Sequence, residues 1–142
     1  MKGNSGNQNR RTGVVLNYLC LIFLLLFYNT AEAMGWNIFL ITGIAVALAF
    51  GIYTFISIYL RTGLWKLIHA KSEQLDEREI QLTRTAVTQA YSVFAILCLL
   101  LFYLELFVLK GSLGALNIAS LIYLAHVLPQ SIIAWHENTP TP

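Results

Sequence analysis

Four stretches of this chain stay apolar for the length of a bilayer crossing, and short polar passages separate them. A helix needs about 20 mostly apolar residues to cross the hydrocarbon core. The pattern predicts spans at about residues 13–31, 36–60, 86–109 and 114–135, opening respectively on "GVVLNYL", "WNIFLIT", "AVTQAYS" and "GALNIAS". None of them alternates apolar and polar residues at a period of two, so strands of a membrane barrel are excluded in favour of helices. The links after the first and third spans are short, and each flanking pair is expected to form an antiparallel hairpin. The expected fold is therefore an all-α, integral membrane four-helix bundle built from two transmembrane hairpins. Residues 1–12 are expected to be a disordered tail, 13–135 the single transmembrane domain and 136–142 a short second tail.

The middle link, residues 61–85, is longer and has its own pattern. "RTGLWKLIHA" reads as an interfacial segment in which Leu64, Trp65, Leu67 and Ile68 dip into the membrane while Lys66 and His69 stay at its surface. Such a segment is drawn to anionic lipid. In "SEQLDEREIQLTRTAV", Asp76 is placed to cap a helix, and Glu79 three residues later completes a capping box. Glu77 and Glu79 then sit in the first turn, where the helix dipole favours negative charge. A helix continuous from Glu77 to about Leu109 is longer than the bilayer core, so its first two turns must stand in water. Leu75, Ile80 and Leu82 are expected to pack that extension against the interfacial segment.

Composition turns this pattern into a class. Of 142 residues 57% are hydrophobic and 11% charged, and the mean hydropathy is +0.64. A soluble domain is about a quarter charged, so this chain cannot cover a water-soluble globule. The net charge of +2 gives no reason to expect nucleic-acid binding. Charge distribution is more informative. Lys2, Arg10 and Arg11 precede the first span, and Arg61, Lys66, Lys71, Arg78 and Arg84 lie in the middle link, against Lys110 alone on the other side. The positive-inside rule then places both termini and the link in the cytoplasm. Trp36, Trp65, Trp135, Tyr28 and Tyr59 fall at predicted interfaces, where an amphipathic ring is comfortable. The first span, with its basic flank and Ala31-Glu32-Ala33, also has the layout of a signal peptide cleaved after Ala33. Its apolar run reaches transmembrane length, and a retained helix is the expectation.

Inside the membrane, helices associate by close packing and polar contacts. Gly43, Ala47 and Gly51 recur every four residues on the second span, with Ala45 and Ala49 beside them, and Ala115 and Ala119 repeat the spacing on the fourth. These rows are expected to pack helices within the chain. Polar residues at membrane depth are costly and so become candidates for function. Asn17, Gln89, Glu105, Asn117, His126 and Gln130 make up this set. Glu105 is a candidate for binding a proton or cation, although it also lies within reach of the headgroups, of Lys110 and of Asn117. His126 is a candidate for proton relay. A haem held by two histidines is not expected, because His69 and His136 fall outside the membrane core. Pro129 removes a backbone donor and should free a carbonyl near Ala125, for which Gln130 is an expected partner.

No catalytic or metal motif is present: there is no HExxH, no glycine-rich phosphate loop, no GxSxG and no histidine at ligand spacing. Asp76, Glu77 and Glu79 do not share one helix face as a set, so they are not read as an active site. Cys20 and Cys98 sit in apolar runs and read as small hydrophobes. No cofactor is expected. "LDEREIQLTRTAVTQAYSV" and the ending "YLAHVLPQSIIAW" resemble small bacterial membrane proteins of the domain-of-unknown-function type; the resemblance covers the second half of the chain. It implies a bacterial inner-membrane location and no particular chemistry.

Three functional readings follow. The first is a non-enzymatic accessory or scaffold protein whose contact surface is Asp76, Glu77, Arg78, Glu79 and Arg84, its partners being the lipid bilayer and a membrane protein or a second copy. The second is a small transporter or channel subunit using Glu105 or His126. The third is a redox or cofactor-binding membrane subunit.

Overall fold

The computed structural model describes residues 3–104, 106–107 and 114–136. Among them the chain is helical throughout, with no strand. Helix α1 runs Gly3–Met34, α2 Ile38–Phe55, α3 Leu64–His69, α4 Glu77–Leu104 and α5 Ala115–His136. Four segments, Gln8–Met34, Ile38–Leu60, Glu77–Leu104 and Ala115–Trp135, are long and apolar enough to cross a membrane. The chain is thus an all-helical protein of the membrane class, as the hydropathy pattern requires. One boundary differs from expectation. Residues 3–12, expected to be disordered, continue α1 toward the amino terminus. No proline interrupts that stretch, so a helix nucleated in the apolar run can propagate through it one hydrogen bond at a time.

The chain divides into two compact units, one containing α1 and α2 and the other α4 and α5. In the first unit the buried positions obey a seven-residue repeat. On α1 these are Asn17, Leu24 and Ala31, with Val14 buried one turn before the first of them, and on α2 Leu40, Ala47 and Thr54. Repeats of seven are the signature of shallow-angle, coiled-coil-like helix packing. The predicted glycine row belongs to this seam. A Cβ built on Gly43 would lie 3.1 Å from the Phe27 ring, and one on Gly51 3.8 Å from the Cys20 Cβ. Gly13 is tighter still, since a Cβ there would come within 2.7 Å of the Ile58 side chain. The second predicted row, Ala45 and Ala49, faces outward.

The turn between α1 and α2 is made by Gly35, at φ +93°. Asn37 then caps α2, its side chain accepting the Leu40 N–H at 2.9 Å. At the opposite end α2 widens into a π turn over Ile56–Leu60, with Arg61 N donating to Ile56 O at 3.0 Å. Ile58 and Tyr59, adjacent in sequence, are both buried there. Gly63, at φ +76°, breaks the chain direction before α3. In α3 Leu64 is buried, and the Trp65 ring meets Phe55 edge-on at 5.6 Å.

In the second unit α4 turns only Ala86 and Ala90 into full burial. This small-xxx-small pair lets two backbones approach. The expected pair Ala115 and Ala119 is exposed instead, and α5 buries Ser120, Val127, Leu128, Gln130, Ser131, Ile133 and Ala134. Pro129 lies inside α5, which runs on to His136.

Candidate functional site

The charged stretch of the middle link forms the start of α4. Asp76 Oδ1 accepts the Glu79 N–H at 2.7 Å, and Glu79 Oε2 accepts the Asp76 N–H at 3.1 Å. This is the reciprocal capping box that the sequence predicts, and it satisfies donors a helix start would otherwise leave open. All four charges of the described part of α4, Glu77, Arg78, Glu79 and Arg84, fall in its first eight residues. The next twenty, Thr85–Leu104, carry none. Twenty residues span ~30 Å at the helical rise, the thickness of the hydrocarbon core. The eight before them add roughly 12 Å of helix that a crossing of the core does not require. Asp76, Glu77, Arg78 and Arg84 are exposed along it, and Glu79 is half-buried.

A polar face continues from this extra length into the uncharged run. Gln81, Arg84, Thr85, Thr88 and Gln89 border an open depression on one side of α4. Thr85, Thr88 and Ser92 each donate a hydroxyl hydrogen bond to the carbonyl four residues earlier, at 2.9, 2.9 and 3.1 Å. Self-bonding of this kind lets a hydroxyl lie at membrane depth without a second helix.

The polar residues that the sequence singles out in the apolar runs of the second unit have separate surroundings. Glu105 lies outside the described residues. Asn117 sits in the first turn of α5, half-buried, with its backbone N–H bonded to Gly114 O at 3.0 Å. His126 is exposed midway along α5, and its Nδ1 is 2.9 Å from Ile122 O. Because a carbonyl only accepts, Nδ1 carries the proton in that bond. Gln130 is fully buried, and neither its amide oxygen nor its amide nitrogen has a hydrogen-bond partner among the described residues. The expectation that Gln130 serves the carbonyl freed by Pro129 is therefore not met. Its flanking residues Val127, Ile133 and Ala134 are apolar and fully buried, and offer no side-chain partner. Among the described residues no three His, Cys, Asp or Glu side chains are grouped to hold a metal ion.

One polar constellation was only half visible in the sequence. Asn17 of α1, 2% exposed, donates through Nδ2 to Thr54 Oγ1 at 2.9 Å and to Gly51 O at 3.2 Å. The Thr54 hydroxyl in turn lies 2.9 Å from Gly51 O and 3.0 Å from Phe50 O, so its proton stays on its own helix and its oxygen accepts. Asn17 stood out as a polar residue in an apolar run. Thr54 gave no signal, because nothing in a linear pattern pairs positions 37 apart. The arrangement joins two helices and holds no reactive group. It is a packing device.

Comparison of the chain with known protein families, with curated proteins and with solved structures gives no match.

Proposed function

We propose that this is a non-enzymatic, multi-pass protein of the bacterial inner membrane, with both termini cytoplasmic, that acts as an accessory or scaffold subunit. It engages a membrane-protein partner through the cytoplasmic start of α4. The orientation rests on the lysine and arginine bias of the middle link and the amino-terminal segment. The observation that carries the reading is the capped, charged overhang of α4. The capping box accounts for Asp76 and Glu79. Here Glu77 and Arg78 add exposed charge of both signs on a backbone held rigid by the Asp76–Glu79 box. Preorganised charge of mixed sign confers selectivity on an encounter more than raw affinity.

A photoreactive amino acid placed at Arg78 in cells should give a discrete protein adduct, and one placed at Leu99, exposed within the uncharged part of α4, should label lipid. The Arg78 adduct should vanish when Glu77→Lys is introduced. Lipid labelling alone at both positions would overturn the reading.

A further inference from the structure

The polar depression on α4 does not end at Gln89. Thr85 and Gln89 also border a crevice between α4 and α5, completed by Leu82, Ala86, Ile132 and Ile133. The two depressions thus share two residues and differ in chemistry. One side presents Arg84 with the amides of Gln81 and Gln89 and the hydroxyls of Thr85 and Thr88. The other presents aliphatic side chains and the small Ala86. Arg84 is exposed, and its guanidinium has neither an ion pair nor a hydrogen bond among the described residues. It stands at the last charged position before the uncharged twenty-residue run, at the level where the hydrocarbon core begins.

We infer that this composite crevice is a binding site for one anionic phospholipid. The phosphate sits against the Arg84 guanidinium, which offers a planar fork of donors suited to phosphate oxygens. The Gln81 and Gln89 amides donate to the phosphate and ester oxygens. The first methylenes of one acyl chain lie along the half-buried Leu82 and Ile132 at the mouth of the crevice, over the floor that Ala86 forms. A free phosphate would use the polar half and leave the apolar half idle. A phosphate-free neutral lipid such as diacylglycerol would do the reverse, and a zwitterionic phospholipid would bring its headgroup cation up against the Arg84 guanidinium. Only a ligand carrying an anionic head and an aliphatic tail within a few ångströms of each other matches both halves and their order along α4. Basic pockets between helices at a membrane surface take such headgroups. The inference does not depend on which side of the membrane the middle link occupies, and it uses Arg84 rather than the Glu77–Arg78 pair that carries the partner reading.

The test is native mass spectrometry of the full chain in mild detergent, titrated with phosphatidylglycerol, with phosphatidylcholine or with inorganic phosphate. One phosphatidylglycerol should be retained with a preference of roughly tenfold over phosphatidylcholine, the scale of one charge-assisted hydrogen bond. Arg84→Gln should abolish that preference. Arg78→Gln, which removes the same charge six residues earlier, should leave it intact. Gln89→Trp, which fills the shared mouth without changing charge, should weaken binding as well. Equal retention of the two lipids, an equal loss in Arg78→Gln, or full displacement by millimolar inorganic phosphate would overturn the assignment. So would a dimer of the chain that excludes lipid and dissociates in Arg84→Gln, since a second copy would then be the occupant.

Discussion

Two buried amides define the residue scale, and they are placed in opposite circumstances. Asn17 Nδ2 bonds across to Thr54 and Gly51, while Gln130 is buried with its amide unpaired among the described residues. An interhelical hydrogen bond in a membrane is worth about 0.6 kcal/mol on average and up to about 1.7. An unsatisfied buried polar group costs about 1–3 kcal/mol. Asn17→Leu should therefore destabilise the α1–α2 hairpin by about 1 kcal/mol, whereas Gln130→Met should be neutral or stabilising. Reversible unfolding in mixed micelles of the two variants checks the contrast, and destabilisation by both would refute it. Thr54→Ala should cost less than Asn17→Leu, because Asn17 keeps the Gly51 carbonyl. The sequence exposes such residues as polar positions in apolar runs. Whether each is bonded is a tertiary fact that no local spacing carries.

Among the elements, α4 was the most legible. Its cap, its first-turn acids and its excess length over the bilayer are all local properties written within a few residues of one another. Asp76→Ala should remove the cap and fray the first turn, at a cost of about 1 kcal/mol. Hydrogen exchange at the amides of Glu77–Ile80 should accelerate, with exchange across Thr85–Leu104 unchanged. Asp76→Asn, which still caps, should restore protection; slow exchange in Asp76→Ala would mean that the box is not holding the helix start. Helix faces were much less legible. Gly43, Ala47 and Gly51 lie on a packing seam, as their spacing predicts, but Ala45–Ala49 and Ala115–Ala119 are exposed, and the buried pair Ala86–Ala90 is not distinguished by its sequence surroundings. The reason is physical. Lipid and protein interior are equally apolar, so hydropathy does not say which side of a transmembrane helix meets a neighbour. In water the same small-residue rows would have been bounded by charge.

For the whole molecule, hydropathy and link length predict four spans in two hairpins, and the structure has four helices long and apolar enough to cross a membrane, with α1 packed on α2 and α4 on α5. Orientation is a separate matter of charge. Under the proposed inner-membrane orientation, with Cys20 and Cys98 replaced by serine, a single cysteine at Lys71 should react with a membrane-impermeant maleimide only after the membrane is opened. A cysteine at Gly114 should react in intact spheroplasts. The reverse pattern would invert the topology and place the α4 overhang outside. Eight basic residues against one make the bias steep enough that adding one or two lysines next to Lys110 should not flip it.

The π turn at the end of α2 has a consequence for that bias. The buried row of α2 advances by sevens from Leu40 to Ala47 to Thr54, and the next step lands on Arg61. In an unbroken α-helix the guanidinium would be driven into the seam against α1. A turn closed five residues apart rotates less per residue, so the five residues Ile56–Leu60 delay the helix by roughly a quarter of a revolution. Ile58 and Tyr59 take the inward positions and Arg61 emerges outside. The wide turn acts as a phase shifter: one surplus residue resets the angular clock of the span where its apolar row runs out. A deletion in this segment would shorten the helix by little, yet it would put the positive charge on the wrong bearing.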